Sequence, residues 1–142
     1  ATHAKVIPDI PELSAIIFPV NNTQSNEDGY LRIGEIYKLN ISADLINLSA
    51  CETGLGKIYY SEGVVSFTQA FMAAGANAVS VTLWPIYDKS TSEFMVSMYS
   101  KANNGMTYPG AINSTKREFI SGEHGELYKH PFFWAPYVYY GK

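Results

Sequence analysis

The stretch that could do chemistry in this 142-residue chain is ADLINLSACETGLG, residues 43–56, where an apolar run ends at Cys51, the sole cysteine. A thiolate is the nucleophilic form of cysteine, and an imidazole within reach can generate it and pass the proton to a leaving amine. Three histidines are available: His3 in ATHA, His124 in the polar SGEHGEL, and His130 ahead of Pro131. His3 is followed by the small Ala4, which leaves room for approach. The alternative for Cys51 is a small buried hydrophobe, the usual state of a free cysteine.

The neighbouring glycines invite a phosphate-loop reading that the residues do not support. The pattern G-x-x-x-x-G-K-[ST] would need Gly at 51 and Ser or Thr at 58, and the chain has Cys51 and Ile58. Tyr59 likewise stands where a dinucleotide fingerprint needs its third glycine. Gly54 and Gly56 read as turn residues after the cysteine. Glu52 would disfavour a thiolate beside it and is taken as part of the rim. Asp44 opens the strand and reads as solvated.

A strand must carry Cys51, and LINLSA at 45–50 is the short apolar run that supplies it. Upstream, SAIIFPV predicts a short strand, and GYLRIGEIYKL a strand leading into a helical turn, with Leu31, Ile33, Ile36 and Leu39 apolar. Downstream, Val64, Phe67, Thr68, Phe71 and Met72 share one helical face, with Ser61 as cap and Gly75 as end. NAVSVTLW predicts a second β-branched strand, stopped at Pro85. Ser90–Glu93 fits a capping box, followed by a stripe of Phe94, Met95, Met98, Tyr99 and Ala102 and a stop at Gly105. Pro109 suits a first helical position, with Ile112, Thr115 and Phe119 inward and Gly122 beyond the end. FFWAPYVYY predicts an edge or bulged strand because of Pro136.

Strand, helix, strand, helix, helix, strand predicts an α/β fold with a parallel sheet covered by helices. Right-handed crossovers would set the strands' carboxyl ends on one rim, where such sheets bind ligands. Cys51 and the Trp84–Asp88 segment follow strands and are therefore expected there.

Composition limits the function classes. Apolar residues make up 46% of the chain, enough for one domain with a packed core. A net charge of -3 without basic blocks argues against nucleic acid and anionic membranes as partners. No run approaches the roughly 18 apolar residues of a membrane span, and no signal-peptide pattern opens the chain. One unpaired cysteine suits a reducing, cytoplasmic setting. The opening without Met reads as a fragment or processed product.

Five motifs, ATHA, DGYLRIGEIYKL, ADLINLSACETGLG, SEGVVSFTQAFMAAGANAVSVTLWPIYDKST and HPFFWAPYVYYG, together resemble the CHAT family. That family is a branch of the caspase-like cysteine peptidases, often fused to tetratricopeptide repeats. SACETG and LWPIYDKST are its specific elements, and the resemblance runs along essentially the whole chain.

The resemblance implies a caspase-like, mainly parallel sheet with helices on both faces, its amino-terminal strands missing, as the carboxyl-terminal catalytic part of a longer domain. It implies a cysteine endopeptidase with Cys51 as nucleophile, His3 as proton shuttle, and the backbone amides of Ala4 and Cys51 as oxyanion donors. No metal or cofactor is required. A protein or peptide is the expected substrate, with Trp84 as an apolar wall and Asp88 facing a basic side chain; a helix-start role for Asp88 is the alternative. Where the family has Gly after the His, this chain has Ala4, which motivates the rival expectation of a non-catalytic CHAT-like interaction module. A flavodoxin-type binding domain is a third option. An uncovered sheet edge predicts pairing between two copies.

Overall fold

The computed structural model describes residues 3–5, 7, 10, 13–19, 28–48 and 67–141. They fall in two compact units, Ala1–Pro85 with Tyr140–Lys142, and Ile86–Tyr139.

In the first unit, β1 (His3–Lys5), β2 (Ala15–Ile17) and β3 (Tyr30–Arg32) form an antiparallel sheet in that order. His3 lies opposite Ile17, and Ala4 opposite Ile16. Ser14, fully buried, fixes the entry to β2: its hydroxyl accepts from the Ile7 amide at 2.8 Å and its carbonyl from the Ile33 amide at 3.0 Å. Those bonds satisfy groups that burial would otherwise leave costly. The short helix α1 (Ile33–Ile36) follows β3 directly, with Ile33 and Ile36 buried as their spacing predicts and Leu39 exposed.

The second sheet has the order β4 (Ile46–Leu48), β5 (Ala78–Thr82), β6 (Tyr137–Gly141). β4 and β5 run parallel, Ile46 opposite Val79 and Leu48 opposite Val81. All five residues of β5 are buried, which explains its run of small and β-branched residues. Residues 67–73 are helical, α2, and bury Phe67, Thr68 and Phe71 while Met72 is exposed. Gly75 then takes a positive φ of 112°, and the chain turns back so that the Ile41 amide donates to the Ala74 carbonyl at 2.7 Å. Ser61 and Val64 lie outside the described residues.

The α/β class holds. Among the described residues, however, the strands form two three-stranded sheets, and the first is antiparallel throughout. The expected parallel pairing is seen between β4 and β5. His3 sits in the antiparallel sheet, opposite Ile17 on β2.

The second unit is a helical pair, α3 (Asp88–Asn103) and α4 (Tyr108–Ser121). Phe94, Met98, Ala111, Ile112, Phe119, Phe133 and Tyr137 form its core. Tyr137 stacks on Phe94 with ring centroids 3.6 Å apart, and Phe119 tilts against Phe94 at 5.4 Å. Burying each such ring contributes about 1.5–3 kcal/mol. α4 follows its sequence signals: Thr107 caps it by accepting from the Gly110 amide, Pro109 sits in its first turn, and Gly122 ends it in the left-handed region.

Three local expectations are corrected. α3 starts at Asp88, not at a Ser90–Glu93 capping box; Ser90 lies one residue pair inside the helix, where its hydroxyl donates to the Tyr87 carbonyl at 2.9 Å. FFWAPYVYY is not one strand, because Pro131–Phe133 form a 3-10 turn and the strand begins only at Tyr137, after Pro136. Tyr99, expected inward, is exposed. No helix among the described residues is long and apolar enough to cross a membrane.

Candidate functional site

β4 ends at Leu48, three positions before Cys51, and its parallel partner β5 leads into Trp84. The chain therefore leaves both strands at their carboxyl ends in the same sense, the arrangement that places functional residues after strands in α/β proteins. Cys51 itself lies outside the described residues, as do Glu52, Gly54 and Gly56.

The backbone of His3 is in β1, and Ala4 beside it is buried. Ala4 keeps a negative φ, as does every other described residue except five glycines. The separation of the His3 ring from the Cys51 sulfur falls outside the described residues.

Trp84 is half-buried in the segment after β5. Asp88 is exposed and is the acidic residue in the first turn of α3, where its charge complements the helix dipole. Asp44 is exposed too, and accepts from the Asn77 side-chain amide at 3.2 Å. Of the other histidines, His130 caps the Pro131–Phe133 turn by accepting from the Phe132 amide.

His124 belongs to a polar cluster that pattern reading missed. Lys101 on α3 pairs with Glu118 Oε1 on α4 at 2.6 Å and also donates to the hydroxyls of Ser97 and Thr115. Ser97 donates to Glu118 Oε2 at 2.6 Å, and His124 approaches the same oxygen with Nε2 at 3.3 Å. Glu93 Oε2 stands 3.6 Å from His124 Nδ1. Partial burial of Glu118 works against its charge, but hydrogen bonds from Lys101, Ser97 and His124 outweigh it and hold the carboxyl below its ordinary value. The available signal was spacing: Glu93, Ser97 and Lys101 recur every four residues along one side of α3.

Burial pushes the Tyr137 hydroxyl up to about 12. Thr91 lies close enough to oppose that shift without completing a hydrogen bond of normal geometry.

Comparison with known proteins gives a family. A profile of the CHAT domain matches residues 1–142, the entire chain. Two curated relatives, both called tetratricopeptide repeat protein 28, are similar over 111 residues: the mouse protein at 29% identity and the human protein at 28%. The aligned part is 78% of this chain and only 4% of the length of those relatives.

Proposed function

Because the chain belongs to the CHAT domain family, we propose that it is the carboxyl-terminal catalytic part of a caspase-like cysteine endopeptidase. The observation that carries this reading is the family match over the whole chain, together with SACETG setting Cys51 directly after the apolar run that forms β4. In the mechanism, the His3 imidazole takes the Cys51 thiol proton, and the thiolate attacks the scissile carbonyl carbon. The Cys51 and Ala4 amides donate to the oxyanion. His3 then protonates the departing amine, the C–N bond breaks, and a thioester remains. Water, deprotonated by His3, hydrolyses it and restores the thiol. Trp84 forms an apolar wall for the substrate, and Asp88 attracts a basic side chain ahead of the cleaved bond.

This reading calls for a mainly parallel caspase-like sheet that brings His3 and Cys51 to one rim. It also calls for a reducing, cytoplasmic setting that keeps Cys51 a thiol. The names of the two relatives support a parent protein that carries tetratricopeptide repeats. Cys51→Ala in that parent is expected to lower peptide hydrolysis or self-cleavage by about 10³-fold or more. Cleavage that survives alkylation of Cys51 would refute the proposal.

One observation favours a second reading, a CHAT-like interaction module without turnover. Ala4 stands where the family has Gly, and its buried Cβ restricts the backbone that would donate to an oxyanion. Under this reading an electrophilic peptide probe leaves Cys51 unlabelled; selective labelling would count against it.

A further inference from the structure

We propose that His124 is a proton-operated clasp: its imidazolium ties residues 122–130 to α3 through Glu93 and to α4 through Glu118, whereas the neutral ring ties them to one helix only. Both ring nitrogens face carboxylate oxygens, Nδ1 toward Glu93 at 3.6 Å and Nε2 toward Glu118 at 3.3 Å. A neutral imidazole has one N–H and one lone pair, so it satisfies one of these acceptors and turns its lone pair toward the other. The imidazolium donates to Glu118 and forms an ion pair with Glu93.

The surroundings narrow the ways out of that conflict. Glu118 is held as a carboxylate by Lys101 and Ser97, so it does not relieve the contact by taking up a proton. The Phe119 ring lies 4.4 Å from the imidazole, centroid to centroid, and limits its reorientation. Tyr128 stacks on that same phenyl ring at 5.7 Å.

The charges facing His124 are Glu93 from α3 and Glu118 from α4, with Lys101 behind the latter as the opposing charge among the described residues. On the histidine's own segment, Glu123 is engaged by Ser121 and Glu126 by Lys129. Two acceptors against one cation at second remove set the sign. The extra tie is present where the ring carries its proton and is lost where the ring gives that proton up. The cluster lies wholly in the second unit and does not depend on the peptidase reading.

Amide hydrogen exchange of the full chain tests this at pH 5.5 and pH 8, with rates corrected for intrinsic exchange. Residues 122–130 are expected to be about three- to tenfold better protected at pH 5.5 than at pH 8, the range for one charge-assisted bond at a partly exposed site. Glu93→Gln, a substitution near the helix surface, is expected to bring that ratio close to one with the protection of α4 unchanged. His124→Gln should do the same. A native ratio of one, or a ratio that persists in Glu93→Gln, overturns the clasp.

Discussion

The two units fill their interiors with different material. Around β5 the first unit uses small side chains, Ala70, Ala74, Ala76 and Ala78, with Val79 and Val81 beside them, although Phe67, Phe71, Ile33 and Ile36 are buried elsewhere in it. The second uses Phe94, Phe119, Met98 and Tyr137. Small residues let backbone approach backbone, as in the parallel bridge between Ala43 and Ala76 and the Ile41 to Ala74 hydrogen bond. Large residues instead span the space between helices. The first unit should therefore be hurt most by added atoms, and the second by removed ones.

Removing atoms from the second unit has the largest expected effect. Phe94 is fully buried and contacts both Tyr137 and Phe119, so Phe94→Ala should cost about 3–5 kcal/mol in urea denaturation. A loss under about 1 kcal/mol would mean the helices close over the gap, and the contrast between the units would fail.

Adding one methyl group to the first unit comes next. Gly75 has a φ of 112°, and a Cβ there would run into the Ile41 carbonyl oxygen. Gly75→Ala should cost about 2–3 kcal/mol, measured the same way. If the variant is as stable as the parent, the close approach of the backbone is not what limits this turn.

The smallest effect sharpens the comparison by charge. The Glu118 carboxyl is held below its ordinary value, so its contribution is present above that value and is lost as pH falls through the acid range, from about 4.5 downward. Glu118→Gln should therefore be less stable than the parent by about 1–2 kcal/mol at pH 7, and the gap should shrink toward pH 3. A gap that stays constant with pH would assign the loss to packing.

The same contrast explains what could be read from sequence. The second unit was largely legible, because Phe94 and Met98, and Ile112, Thr115 and Phe119, fall at helical spacing between Pro109 and Gly122. Ser90 misled because a serine with Glu three residues later fits a capping box at any register, and the helix had already started at Asp88. β2, β4 and β5 were found from short apolar runs. How those strands sort into sheets was not legible, since pairing joins residues far apart in sequence, and three-residue strands carry too little alternation to fix their neighbours. At the site, Cys51 stood out by its residue type and its place after β4. The Glu93–Ser97–Lys101 side of α3 did not, because charges at helical spacing usually mark a solvated face.

The division of the chain also distributes its two tryptophans, Trp84 to the first unit and Trp134 to the second. Trp134 donates its indole N–H to the Lys129 carbonyl at 3.0 Å, so its emission is tied to the turns that precede β6. Fluorescence of a Trp84→Phe protein thus reports from the helical unit alone, and that of Trp134→Phe from the sheets. Each half of the molecule carries its own intrinsic optical label.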